Sequence, residues 1–249
     1  MNKIKRLIEK ILEYLGYEIF KKGTNKGAFD VQRELVKIKT PIIFDVGAYV
    51  GEVTGEYRTL FPSSNIYSFE PFPPSFSELK KRYSTDPKVF LFNQAISKES
   101  GSINLNVNKQ ASTNSILNTD ATAAKYWGAN RLDTQTQMEV HANTIDNFCS
   151  ENGIEKIDIL KLDIQGHEYD AFLGAEKMFR SNSVHLIYFE MILAPSYIKQ
   201  HKLCEYIQLL EDYGFELFDF YNAVKRDMQI ISMDMLFINK KFYSDKNII

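Results

Sequence analysis

Apolar runs and helix-like stretches alternate along most of this chain, and that alternation restricts the fold more than any other feature. "IIFDV" (42–46), "NIYSFE" (65–70), "KVFLFNQAI" (88–96), "KIDILKLDI" (156–164) and "HLIYFEM" (185–191) are rich in β-branched and aromatic residues. Between most of them, 52–61, 75–84, 167–180 and 197–213 read as helices. Strands alternating with helices predict a parallel sheet of βαβ units. The early strands are nearly all apolar, as expected where helices cover both faces. "FELFDFYN" (215–222) and "MDMLFINKKF" (233–242) predict an antiparallel pair that closes the sheet.

Two segments depart from the alternation. "GSINLNVN" (101–108) alternates polar and apolar residues, the pattern of an edge strand or hairpin. Residues 109–136 are rich in Ser, Thr, Asn, Gln and Ala and hold the single tryptophan, Trp127. A long polar loop inside a domain is uncommon unless it is functional or mobile.

Residues 1–40 read as a leader and 41–249 as the main domain. In the leader, Ile4, Leu7, Ile8, Ile11, Leu12 and Leu15 follow helical spacing, with Lys3, Arg6, Lys10 and Glu13 opposite. The segment is predicted to be an amphipathic helix that packs on the domain; the competing reading is peripheral contact with an anionic membrane. The 249 residues carry a formal charge of -2, and the basic surplus lies in the leader, which speaks against a nucleic-acid partner. Cys149 and Cys204 form no metal or redox motif, so a reducing cytoplasm is the expected compartment. No apolar run approaches the roughly 18 residues of a membrane span.

In open α/β sheets, ligands bind beyond the carboxyl ends of the strands. Four predicted strands end in an acid: Asp45, Glu70, Asp163 and Glu190. One such acid is most simply a helix cap. Four on one sheet edge point to a ligand, because buried carboxylates need partners. Gly47 and Gly51 give D-x-G-x-x-x-G rather than the G-x-G-x-x-G of nicotinamide folds, which favours a cofactor without phosphate. Glu70 stands where a second strand would offer a carboxylate to a ribose diol. "EPFPP" after it stiffens that rim.

"FDVGAYVGE", "YSFEPFPPSFSEL", "NQAIS", "GSINL", "TNSIL" and "ILKLDIQGHEYDAFLGA", in this order, resemble the FkbM family of S-adenosylmethionine-dependent methyltransferases. The resemblance covers roughly residues 40 to 240. It implies an α/β, Rossmann-like class I methyltransferase fold: a seven-stranded, mostly parallel sheet with an antiparallel last strand and helices on both faces. It implies S-adenosyl-L-methionine as cofactor. Asp45, Gly47, Ala48 and Gly51 would surround its methionine portion and Glu70 would take the ribose. Pro71 and Phe72 would shape the adenine side, Asn93 and Ala95 would lie beside the adenine, and Asp163 would face the methyl group. Gly166 and Glu168 belong to the same block as Asp163. The family usually has Asn where this chain has Tyr49, and often a D-x-E-G block where this chain has Gln165.

The resemblance implies O-methylation of a hydroxyl on a sugar, a glycan or a glycosylated natural product. An aliphatic hydroxyl is a poor nucleophile, so a base is useful. Asp163 is the first candidate, with His167 and Glu190 as competitors. Glu190 is also a candidate acceptor ligand, with Asn114, Ser115 and Trp127 of the polar loop. His141, His185 and His201 share no ligand spacing, and no metal site is expected. Two other readings stay open: a nicotinamide-dependent oxidoreductase, and a cofactor-binding scaffold without catalysis. A base-flipping nucleic-acid enzyme lacks its Asn-Pro-Pro-aromatic motif here.

Overall fold

The computed structural model describes residues 26–244, so the amphipathic segment 4–15 lies outside the described residues. Helix α1 (Ala28–Leu35) comes first. It belongs to the core: Ala28, Leu35 and Val36 are buried with Tyr57 and Ile66, and Tyr57 Oη donates to Gln32 Oε1 at 2.9 Å. Then come β1 (Ile42–Val46), α2 (Glu52–Leu60), β2 (Asn65–Phe69), α3 (Pro73–Tyr83) and β3 (Val89–Phe92). Two prolines open α3, where their fixed φ suits a helix start.

The run 88–96 is not one strand. β3 ends at Phe92, and β4 (Ala95–Ile96) joins a separate three-stranded sheet with β5 (Gly101–Asn108) and β6 (Thr134–Asn143), in the order β4-β6-β5. The polar segment 109–136 is built in part rather than loose throughout. It holds a 3-10 turn at Ala111–Thr113, a short helix α4 (Ala123–Trp127) and the start of β6.

The chain continues through α5 (Ile145–Glu151), β7 (Ile159–Leu162), α6 (Glu168–Leu173), α7 (Glu176–Arg180), β8 (Leu186–Ile192) and α8 (Leu203–Asp212). The stretch 167–180 therefore forms two helices. It closes with β9 (Phe215–Arg226), β10 (Gln229–Asn239) and α9 (Lys240–Ser244).

The main sheet has seven strands in the order β3-β2-β1-β7-β8-β10-β9. β10, the last, runs antiparallel to both neighbours. Residues on alternate faces bury into two cores. Phe44, Leu160, Leu162 and Phe189 meet α5, α6 and α8 on one side. Ile43, Ile159, Leu186 and Leu236 meet α1 and α2 on the other. Strand order reverses between β1 and β7, so the carboxyl ends of these two strands frame the expected ligand crevice.

Candidate active site

The crevice rests on a buried ion pair. Asp45 and Lys161 are register partners on β1 and β7, and Lys161 Nζ lies 2.9 Å from Asp45 Oδ1. Thr54 Oγ1 donates to Asp45 Oδ2 at 2.7 Å, and Lys161 Nζ donates to the Gly47 carbonyl at 3.1 Å. Burial pulls the Lys161 pKa down, but the Asp45 and Asp163 carboxylates outweigh it and the net shift is upward. Asp45 thus faces Lys161 and Thr54 beneath the loop rather than lining the cleft.

The loop after β1 is held by backbone geometry. Gly47 has φ +76, and a Cβ there would lie 1.9 Å from the Asp163 carbonyl oxygen, so strand tips β1 and β7 touch through the glycine. Gly51 also has positive φ, and a Cβ would meet Leu79 and Tyr83 of α3. Its role is close packing beneath the site, away from the cleft wall. Tyr49 adopts φ +50, a left-handed conformation that Asn enters more readily than Tyr. That geometry accounts for an Asn preference at this place.

Glu70 is buried at the end of β2. Its Oε2 accepts from Tyr49 N and its Oε1 from Phe72 N, both at 2.9 Å. Each oxygen keeps a lone pair for a ligand. Burial pushes its pKa up to about 7, against the lowering effect of the Phe72 and Tyr49 N–H groups. Asn93 faces away from the cavity. Its Nδ2 donates to the carbonyls of Glu70 and Pro71, holding the turn. Phe72 packs with Ala95 and Leu105 behind the wall.

A cavity of about 400 Å³ opens above this floor. Gly47, Ala48, Tyr49, Glu70, Pro71, Ala95, Asn114, Ser115, Lys161 and Asp163 line it, together with Gln94 and Gln165. Gln94 Nε2 and Asn114 Nδ2 are buried without a hydrogen-bond partner. Two orphaned donors and a free-edged carboxylate in a deep slot fit a nucleoside-bearing ligand such as S-adenosyl-L-methionine.

A smaller cavity of about 40 Å³ adjoins it, lined by Trp127, Arg131, Gln165, Glu190 and Tyr197 among others. Gln165 belongs to both cavities. Its Nε2 donates to Asp163 Oδ1 and to Glu190 Oε2, each at 3.0 Å, and its Oε1 accepts from Tyr197 Oη at 3.0 Å. Ser115 Oγ donates to the Gln165 carbonyl at 2.7 Å and fixes its left-handed backbone, φ +56. Asp163 is exposed in the large cavity. Glu190 is partly buried, and its carboxyl pKa is raised by burial first, then by the nearby Asp163, Glu168 and Asp234 carboxylates. Asp234 is its register partner on β10.

His167 does not reach either cavity. Gln165 and Gly166 both have positive φ and reverse the chain, so the imidazole turns inward and Nε2 meets Ser97 Oγ at 3.0 Å. Burial depresses its pKa to about 4, which Asp170 opposes. Glu168 is buried too, and its Oε1 accepts from Ile164 N at 2.8 Å, bracing the turn. Trp127 lines the small cavity, but its Nε1 donates to Ser196 Oγ at 2.6 Å and the Arg131 guanidinium lies over its ring at 5.3 Å. One face of the indole is therefore covered.

Lys161 and Gln94 escape an inspection of strand-end acids. Lys161 leaves one trace in the sequence, a lysine inside the otherwise apolar run "ILKL" of a central strand. A buried cation there demands a carboxylate on the neighbouring strand.

Known proteins resemble this chain in sequence and in fold. A curated relative, the 2-O-methyltransferase NoeI of Sinorhizobium fredii, is 25% identical over 64% of this chain and 69% of its own length. The hexuronic acid methyltransferase AglP of Haloferax volcanii is 23% identical over 66% of this chain and 63% of its own length, so under two thirds of that relative is spanned. An rRNA methylase from Streptococcus thermophilus superposes with a TM-score of 0.50 at 11% identity, covering 85% of this chain and 93% of that one, a likeness of fold alone. The family model for the Methyltransferase FkbM domain matches residues 45–217. With the class I fold and a cleft suited to S-adenosyl-L-methionine, this chain belongs to the FkbM methyltransferase family.

Proposed function

We propose that this enzyme methylates a hydroxyl of a sugar or glycan, with Asp163 as the general base. The observation that carries the reading is the junction at Gln165. Asp163 projects into the large cavity on one side of it, and the small cavity opens on the other. The two curated relatives, a 2-O-methyltransferase and a hexuronic acid methyltransferase, support a sugar hydroxyl as acceptor. Family membership speaks against the nicotinamide reading.

S-adenosyl-L-methionine brings a methyl group already activated on a sulfonium, so the protein's tasks are alignment and the handling of one proton. Glu70 would hold the ribose hydroxyls on its two free lone pairs, with Gln94 and Asn114 completing the wall. Asp163, anchored through Oδ1 by Gln165, keeps Oδ2 for the acceptor proton. Glu190, its pKa raised, would hold the acceptor by hydrogen bonding rather than compete for that proton.

The test is Asp163→Asn with a panel of sugar acceptors and radiolabelled methyl donor. Turnover should fall by about 10²–10⁴-fold, with S-adenosylhomocysteine binding retained. Wild-type turnover in the variant removes Asp163 as base. Wild-type protein that binds the cofactor but methylates nothing would favour a non-catalytic scaffold.

A further inference from the structure

The small cavity holds one cation, Arg131, that has no ion-pair partner among the described residues. Among the described residues, Arg33, Arg58 and Arg180 each pair with a carboxylate, Asp30, Asp86 and Glu176 respectively, while Arg82 and Arg226 do not but line neither cavity of the site. The Arg131 guanidinium has no such partner and donates no side-chain hydrogen bond; its contact is the face of Trp127, at 5.3 Å. The other cation at the crevice, Lys161, is satisfied by Asp45. Arg131 is thus the unpaired positive group at the acceptor side.

Its placement is built. The Arg131 carbonyl accepts from Thr113 Oγ1 at 3.0 Å, and the next carbonyl, of Leu132, accepts from Thr119 Oγ1 at 2.8 Å. The indole beneath is pinned by Ser196, whose Oγ in turn donates to the Ala194 carbonyl at 2.9 Å. A guanidinium stacked on a fixed aromatic ring keeps its planar edge of N–H donors free, the edge that matches a carboxylate with two parallel hydrogen bonds.

Resting on the sugar-methylation reading above, we propose that the acceptor is an acidic sugar whose carboxylate is bound by Arg131 while its hydroxyl enters the cavity beside Gln165 and Glu190. A monoanion suits the site better than a phosphate. Among the described residues Arg131 is the one cation lining the small cavity, and a single guanidinium edge matches the single charge of a carboxylate. A neutral sugar would leave the guanidinium unpaired once the ligand excludes water from it, which opposes binding.

The experiment uses the full chain saturated with S-adenosylhomocysteine. Binding of methyl β-D-glucuronide, methyl β-D-glucoside and glucose 6-phosphate is measured by ligand-observed NMR titration. The glucuronide should bind about tenfold more tightly than the glucoside, the scale of one charge-assisted contact. The gap should close in Arg131→Met, return in part in Arg131→Lys, and shrink with added salt. Equal affinities, a gap that survives Arg131→Met, or no binding of any sugar overturns the proposal. Tightest binding of the phosphate overturns the carboxylate in favour of a phosphorylated acceptor. Failure of the wild-type chain to bind S-adenosylhomocysteine would instead overturn the methyltransferase reading itself.

Discussion

Asp45 and Lys161 face each other across adjacent parallel strands, 2.9 Å apart, at the point where the order of the sheet reverses. Both are buried, so each is the other's condition for being there. Lys161→Met should destabilise the protein by about 3 kcal/mol or more, because it strands a buried carboxylate. The double variant Asp45→Asn, Lys161→Met should recover part of that loss. Urea unfolding of the wild type and the two variants measures it; equal stability of the single and double variants refutes the pairing.

With Glu70 as the proposed ribose ligand, cofactor binding should depend on pH. In the free protein its pKa stands at about 7. Ribose hydroxyls donate to the ionised form, so binding must expel a proton below that value. Affinity for S-adenosylhomocysteine should fall by up to about tenfold per unit as the pH drops from 7 towards 5. Glu70→Gln should bind roughly 10–100-fold more weakly at pH 8 and show a flat profile over the same range. Calorimetry at several pH values decides; a Glu70→Gln profile parallel to wild type removes Glu70 as the ribose ligand.

His167 makes stability depend on pH in the opposite sense to the raised carboxyls. Its folded pKa of about 4 lies below the unfolded value of 6.5, so between these limits only the unfolded chain takes up the proton. Its contribution is complete above pH 6.5 and is lost as pH falls towards 4, about 3 kcal/mol in all. Glu70 and Glu168, both pushed up to about 7, gain stability as pH falls from 7 to 4.5. The difference between wild type and His167→Asn isolates the histidine: melting temperature should fall more steeply with acid in the wild type. Parallel curves would mean that the imidazole is not held neutral.

Tyr49 sits in the left-handed region with φ +50. Tyr49→Asn should raise stability by about 1 kcal/mol, a gain of about 2–4 °C in Tm for a domain of this size. A lower Tm would show that the tyrosine ring contributes more through packing than its backbone strain removes.

The sequence speaks most clearly where one kind of residue serves one purpose. The runs 42–46, 65–70 and 185–191 are apolar because helices cover both faces of the strands they form, and that pattern needs no knowledge of distant partners. The acids at 70 and 163 mark a sheet edge and both reach the cleft. Other parts depend on facts that no short stretch contains. The run 88–96 is apolar throughout, yet it divides at Asn93–Gln94 because its two halves pair with different sheets. His167 stands four residues after Asp163, a spacing that suggests a shared cleft. Two consecutive positive φ values then turn it inward, and nothing in "DIQGHE" apart from the glycine announces them. Asp45 reads as a cofactor ligand until Lys161, distant in sequence, is seen to lie beside it. Arg131 is hidden in a polar segment whose composition resembles a loose loop.

Gln165 is a partition with a cavity on each side. Its amide group has both hydrogens engaged, one by Asp163 and one by Glu190. An acceptor that draws on Glu190 must disturb the same amide that steadies Asp163. On the proposed reading the two occupants would be energetically linked, and linkage is reciprocal: whatever factor a bound cofactor adds to acceptor affinity, a bound acceptor adds to cofactor affinity. On the proposed reading, a single side chain would let the cofactor site and the acceptor site report to each other.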